Sequence, residues 1–205
     1  AAGYRAQVDS TSISIVLGLL RHQVTNIRRE AVNLLRNLCH DKLKVLEVSR
    51  LAGIKPILFL LTRNNESPDT RTAAAAALQS ISFRRSGRMS IIELGVLPAV
   101  MELLSTPFPQ LRTRVVGLLR NLSVDIRVSV RMREANLIPT LERLLKSRNV
   151  EEVGYVSGTV QNLARDECSR GILAGGQSVR SLGNLILACS HVPNQVAALC
   201  ALVNI

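Results

Sequence analysis

The 205-residue chain has no tryptophan, and its aromatic residues amount to 2% of the sequence. Its interior must therefore be filled by leucine, isoleucine, valine and alanine, which suits close packing of helices and argues against a β-sandwich or barrel. No apolar run reaches the roughly 18 residues needed to span a bilayer. No signal-peptide pattern is visible, and the chain opens Ala1-Ala2-Gly3 rather than with Met, so we expect its natural start to lie further upstream. Histidine is scarce: His22, His40 and His191 share no spacing with one another or with the cysteines. That excludes the usual Cys/His metal patterns, and no metal or cofactor is expected. The four cysteines, Cys39, Cys168, Cys189 and Cys200, lack paired spacing and read as reduced thiols of a cytosolic or nuclear protein. There is no Gly-x-Ser-x-Gly elbow. The glycine-rich stretch Gly171–Gly176 follows no strand and lacks a phosphate-loop lysine, so an irregular inter-helix turn is expected there. These absences exclude an enzyme and a small-molecule substrate.

Acidic residues are few. Twenty-six Lys and Arg face 15 Asp and Glu, a formal net charge of +11. Such a balance points to anionic partners or to a strongly solvated surface around a leucine-rich interior.

What the chain does contain is a repeat. Leu34-Leu35-Arg36-Asn37-Leu38-Cys39 returns as Leu118-Leu119-Arg120-Asn121-Leu122-Ser123. Weaker copies surround Ser80, Asn162 and Asn204, giving steps of 43, 41, 41 and 42 residues. A period of about 40 residues is the signature of stacked helical repeats. A second marker keeps the same phase: Ala52-Gly53-Ile54-Lys55-Pro56, Leu94-Gly95-Val96-Leu97-Pro98 and Ala135-Asn136-Leu137-Ile138-Pro139. Each is followed by an apolar stripe ending near a leucine pair. The glycine, or the asparagine at 136, suits the left-handed turn after a first helix, and the proline opens a second. Pro68 and Pro109 restart the chain into third helices, one of which carries the alanine run Ala73–Ala77.

Gly-x-x-Pro, a leucine pair and then Asn-Leu, at a pitch near 42, resembles the armadillo repeat. The Leu-Arg-Asn-Leu-Cys/Ser wording is similar to the catenins, particularly the plakophilin and delta-catenin class. The resemblance implies an all-α, right-handed α-solenoid of stacked three-helix repeats. We expect units at 9–40 (partial), 41–83, 84–124, 125–165 and 166–205 (incomplete), all within one domain of a longer protein. Residues 1–12 are polar and weakly periodic, and are expected to be poorly ordered. In the fifth unit Ser181 replaces the proline.

Counting back from each Asn at about 100° per residue, positions −2, −3, −6 and +1 face inward: Leu119, Leu118, Val115 and Leu122. Positions 0, −4 and −7 share the opposite face, and in armadillo folds the third helices line the concave side. The candidate peptide-binding residues are therefore Asn33, Asn37, Ser80, Arg114, Asn121, Tyr155, Asn162 and Asn204. Arg29, Arg36, Arg120 and Gln161 flank them. An amide both donates and accepts, so a column of Asn can pair with successive peptide units of an extended chain, or it can brace neighbouring helices. Gly117, Gly154 and Gly158 either leave room for a partner's side chain or permit tight helix packing. Karyopherin-alpha-type armadillo proteins place Trp at position −4. Here that position holds Asn33, Ala76, Gly117, Gly158 and Cys200, and the chain is itself basic.

The expectation is a non-enzymatic scaffold of the cytoplasm, or of the nucleus or the membrane and cytoskeletal periphery, holding an extended acidic or phosphorylated segment. Arg84, Arg85, Arg88, Arg127, Arg131 and Arg133 on the first helices offer an alternative, attachment to an anionic membrane surface or, with less support, nucleic acid. Stacking of exposed repeat ends is a third.

Overall fold

The computed structural model describes residues 10–205; the expectation of poor order lies outside the described part for residues 1–9, whereas Ser10–Ser12 open a helix. The described residues are helical, with no strand among them. They divide into two compact units, one running to Leu94 and one from Gly95 to Ile205.

The first unit contains α1 (Ser10–Leu19), α2 (Thr25–Leu38), α3 (Lys42–Arg50), α4 (Ile54–Thr62), α5 (Pro68–Ser82) and α6 (Arg85–Glu93). The second contains α7 (Leu97–Glu102), which tightens into a 3-10 turn at Leu103–Ser105, then α8 (Pro109–Leu122), α9 (Ile126–Glu134), α10 (Ile138–Leu144), α11 (Val150–Leu163), α12 (Glu167–Gly175), α13 (Ser178–Ala188) and α14 (Val192–Asn204). Every third helix is long: α2, α5, α8, α11 and α14 have 14, 15, 14, 14 and 13 residues. These carry the Asn-equivalent positions. Within the first unit α2 packs on α5; within the second, α8 packs on α11 and α11 on α14.

Local chemistry explains the boundaries. Asp41, Asp125 and Asp166 each stand four residues after a repeat Asn and cap the following first helix. Asp41 accepts from the N–H of Leu43 at 2.7 Å, and Asp166 from that of Ser169 at 2.9 Å. The carboxylate satisfies N–H groups that have no partner inside the helix. Pro68, Pro98, Pro109 and Pro139 all sit in first turns, where a missing N–H costs nothing. The long helices bury the expected faces. Val115, Leu118, Leu119 and Leu122 are at most 1% exposed, and Ala73–Ala77 are all buried in α5. All four cysteines are free, and burial pushes the Cys39 thiol up to about 12.

Two turns depart from expectation. Gly95 and Asn136 adopt φ of 67° and 54°, as their sequence position implies, but at the equivalent turn of the first unit the left-handed residue is Ala52, at φ 54°, while Gly53 is right-handed. The turn begins one residue earlier: Ala52 N–H bonds to Ser49 C=O at 3.1 Å and Gly53 N–H to Val48 C=O at 2.8 Å. Gly53 is required for space instead, since a Cβ there would lie 2.7 Å from Leu17 Cδ2. The glycine-rich stretch is also not a loop. Helix α12 continues through Gly175, started by the Asp166 cap, and only Gly176 and Gln177 leave the helical path. At Gly176 a Cβ would fall 2.5 Å from Glu142 Oε1.

Alanine in the left-handed region costs about 1–2 kcal/mol, of which glycine's greater freedom in the unfolded chain takes back part. Ala52→Gly should therefore stabilise the chain by about 0.5–1 kcal/mol. Asn136→Gly should gain less, because Asn already tolerates that conformation. Urea unfolding midpoints of the two variants check the order.

Candidate functional site

In the second unit the third-helix faces are bound together by side chains that recur at fixed register. Asn162 on α11 donates from Nδ2 to the Arg120 carbonyl of α8 at 3.1 Å and to Ser123 Oγ at 3.0 Å. Asn204 on α14 donates to the Gln161 carbonyl of α11 at 3.2 Å. In both cases the acceptor carbonyl belongs to the residue just before the previous repeat's Asn. Asn194, buried, donates to the Val150 carbonyl at 2.7 Å. Bracing is thus the observed use of the amide's donor end in the second unit. With both hydrogens of Asn162 engaged, its amide has only an oxygen to offer a further partner.

The glycines on this face are also occupied. A Cβ at Gly158 would lie 2.5 Å from Arg120 Nε, and one at Gly154 would lie 2.5 Å from Asn194 Oδ1. Arg120 therefore lies across α11 at Gly158, and Asn194 fills the space at Gly154. At these two positions close packing, and not vacant room, explains the small residue.

The flanking cations divide into paired and unpaired. Arg114 Nη1 donates to Glu151 Oε1 at 2.6 Å, and the Tyr155 hydroxyl donates to the same oxygen at 2.9 Å. Arg114 and Tyr155, both candidate residues, thus converge on a carboxylate of the chain itself. Arg29 lies 3.2 Å from Glu30 and 3.8 Å from Asp69. Arg36 reaches only Asn37 Oδ1, at 3.4 Å. Among the described residues neither Arg36 nor Arg120 has a carboxylate partner. In the first unit Asn33 and Ser80 are half-buried and Asn37 is exposed; in the second Asn121, Gln161, Asn162 and Asn204 are half-buried.

A buried set of ion pairs escaped the sequence reading. Arg28 forks onto Glu66 through Nε and Nη2, both at 2.8 Å, and also donates to the carbonyls of His22 and Gln23. It ties the α1–α2 loop to the α4–α5 loop. In the second unit Arg112 forks onto Glu152 at 2.7 and 3.3 Å. Both glutamate side chains are 0% exposed. The signal was available, because Arg28, Arg71, Arg112 and Gln195 all stand nine residues before a repeat Asn position. Arg71 and Gln195 use that register to reach the Leu61 and Ile186 carbonyls, each at 2.9 Å. Burial would raise the Glu66 pKa, but the Arg28 hydrogen bonds, the Ser67 N–H and the nearby Arg28 and Arg63 charges outweigh it and hold it below the usual carboxylate range. Asp166 is also held low, chiefly by the Ser169 hydroxyl, with Ser169 N–H and Arg133 adding to it.

The first-helix arginines are largely engaged in structure. Arg88 donates to the Ser82 and Phe83 carbonyls, Arg84 sits over the Phe83 ring, and Arg127 and Arg133 pair with Asp125 and Asp166. Among the described residues no cluster of three His, Cys, Asp or Glu is placed to hold a metal, and no helix is long and apolar enough to cross a membrane.

Residues 85–124 match the family described as Armadillo/beta-catenin-like repeat. Over that stretch, one repeat in length, the chain is similar to the armadillo repeat. Over 116 residues it is 34% identical to human Splicing regulator ARVCF, and equally to the mouse and rat proteins of that name. That match covers 55% of this chain but spans only 12% of each relative's length. Among solved structures, an engineered protein superposes on 96% of this chain with a TM-score of 0.86 at 20% identity, over 80% of its own length. A computationally designed armadillo repeat protein for modular peptide recognition gives a TM-score of 0.83 at 19% identity, over 95% of this chain and 82% of its own. A designed armadillo repeat protein in complex with the peptide (KR)4 does so with the same values. At these identities the structural likeness establishes the armadillo fold.

Two outcomes are expected. Removing one partner of a buried pair strands the other charge, so Glu152→Ala should destabilise by about 2–3 kcal/mol, less than for a fully buried pair because Arg112 is partly exposed. Glu151→Ala, which breaks an exposed pair, should cost under about 1 kcal/mol. Urea titration of both variants separates them. For Glu66 the folded pKa is depressed, so its stabilisation is complete above the unfolded value of about 4.3 and is lost as pH falls through the lower folded value. Glu66→Gln should accordingly show a flatter loss of stability than the parent on acidification below about pH 5, followed by circular dichroism.

Proposed function

We propose that the chain is a non-enzymatic interaction scaffold that holds an extended acidic or phosphorylated segment of a partner protein against its third-helix faces. The observation that carries this reading is the arrangement on the second unit. There Asn162 and Asn204 are locked by their donor ends, which leaves carbonyl oxygens for the N–H groups of a peptide backbone. Beside them stands Arg120, a guanidinium with no carboxylate of its own. Helices packed about 8–10 Å apart match two to three residues of extended chain at about 3.3 Å each. The three long helices α8, α11 and α14 would thus engage about six residues. Each backbone hydrogen bond contributes only about 1 kcal/mol net, so several repeats act together.

Charge sets the class of segment. The designed relative in complex with (KR)4 holds a basic peptide. This chain carries +11 and no tryptophan, so an acidic segment suits it. Such a segment would pair with Arg120 in forked fashion and compete with Glu151 for Arg114. The relatives' name, Splicing regulator, is compatible with a nuclear setting for such a scaffold, as the cytoplasm is with its free thiols.

Affinity capture from lysate, read by mass spectrometry, tests this with the parent chain, Arg120→Glu and the double variant Asn121→Ala/Asn162→Ala, each verified as folded by circular dichroism. We expect a shared set of partners bearing acidic stretches to be lost from both variants by about tenfold or more, since charge reversal replaces attraction with repulsion. Partners that survive both variants but wash off in moderate salt would overturn the reading in favour of the first-helix arginines. A mass that rises with concentration in the ultracentrifuge, without capture of partners, would favour stacking of repeat ends.

A further inference from the structure

A cleft of about 680 Å³ opens in the first unit between the C-terminal end of α1 and helix α4. It is separate from the third-helix face: neither Asn33, Asn37 nor Ser80 lines it. Its apolar wall includes Leu17, Leu20, Leu51 and Phe59. The charged side chains around it are all cationic, Arg21, Lys55 and Arg63 at the opening and Arg28 behind, with no carboxylate in the lining. Arg28 is committed to Glu66 and to backbone carbonyls. Arg21 and Lys55 are exposed, and among the described residues their side chains have no hydrogen-bond or ion-pair partner.

The order of these groups along α4 carries the inference. Lys55 and Phe59 stand at i and i+4 on α4, and Arg63, the extended residue that ends the helix and donates to Asn65, follows at i+8. Phe59 is 59% exposed, and the Arg63 guanidinium lies 5.7 Å from its ring centroid. A large apolar ring left in water between two cations is a complementary template for an apolar group between two anions. Eight residues of helix span about 12 Å at 1.5 Å per residue. In an extended chain, residues i and i+4 lie on the same side and about 13 Å apart, with i+2 between them on that side. The two spacings agree.

We propose that this cleft binds an extended protein segment with the pattern acidic–x–apolar–x–acidic, the apolar side chain entering beside Phe59 and the carboxylates pairing with Lys55 and Arg63. Arg21 adds positive potential at the same opening. Cleft volume falls within the range of about 300–1,000 Å³ typical of ligand sites, ample for one leucine-sized anchor. This second site is independent of the third-helix reading and stands if that reading fails.

The test is fluorescence anisotropy of the full chain with a labelled peptide, Gly-Glu-Ser-Leu-Ser-Glu-Gly, and its shuffled control, Gly-Glu-Glu-Leu-Ser-Ser-Gly. We expect saturable binding of the first that weakens by at least about tenfold for the shuffled peptide, for Lys55→Glu and for Phe59→Ser, and that declines with salt. Arg180→Glu, the same charge change at an exposed residue of α13 that lines neither surface, should leave it unchanged. Lys55 and Phe59 are exposed, so both variants should retain the parent circular dichroism spectrum and melting temperature; a variant that does not is replaced by Lys55→Gln or Phe59→Leu. Equal affinity for both peptides, to within about twofold, would overturn the register argument. So would binding unaffected by Lys55→Glu. Binding of decanoate with no binding of either peptide would mark the cleft as a site for small anionic amphiphiles. Peptide binding that appears only after deletion of residues 1–9 would assign the cleft to the chain's own leading segment.

Discussion

In the second unit each long helix is held to the next by a side-chain donor aimed at a main-chain carbonyl, and the rest of that unit depends on the brace. Asn162 and Asn204 reach across from α11 and α14 to carbonyls near the ends of α8 and α11, where the helix no longer supplies a main-chain N–H; the Arg120 carbonyl also accepts from Ser123 Oγ at 2.9 Å. The bond does two things. It satisfies a terminal acceptor, and it sets the axial register of two helices whose apolar contacts alone would tolerate sliding. Leucine and valine ridges are interchangeable along a helix; an amide is not. Once register is set, Gly158 lies under Arg120 and Gly154 lies under Asn194, and a side chain at either glycine would displace the residue above it.

The buried ion pairs follow the same logic with higher stakes. Arg28 and Arg112 occupy one register, yet their carboxylate partners come from different places: Glu66 from a loop, Glu152 from the first turn of α11. A guanidinium on a long stem reaches either location. What the position demands is a fork of donors near the start of a long helix, where loop carbonyls and a carboxylate converge. Gln195 meets the smaller demand in α14 with one carbonyl. The repeat preserves the electrostatic task and varies the residue that performs it.

This economy bears on function. Most arginines on the first helices serve as caps and braces, so the charge of +11 overstates the cations available to a partner. Among the cations without carboxylate partners, Arg120 stands beside the asparagine brace of the second unit, and Lys55 and Arg21 stand around the cleft of the first. Localised positive charge beside a structured surface favours a specific acidic segment over a uniform anionic sheet, where charge alone would suffice.

The architecture was legible in the sequence because its determinants are local. Proline in a first turn, a left-handed turn residue after a first helix, and apolar positions at 3–4 spacing act within a few residues of where they stand. Hence Pro68, Pro109, Asn136 and the Leu118–Leu119 pair could be placed without a structure. Local rules failed where space mattered more than conformation. Gly53 is glycine because Leu17, from another helix, leaves no room for a Cβ, and the left-handed turn moved to Ala52. The polar site was only half legible. The sequence located the Asn column, but an amide can brace or bind, and only the packing of α8, α11 and α14 shows its donor end committed. The pairing of Arg114 with Glu151, the burial of Glu66 and Glu152, and the cleft beside Phe59 join residues up to about 40 positions apart. Such contacts depend on how one repeat is seated on the next, and that is a property of tertiary packing which local periodicity does not encode.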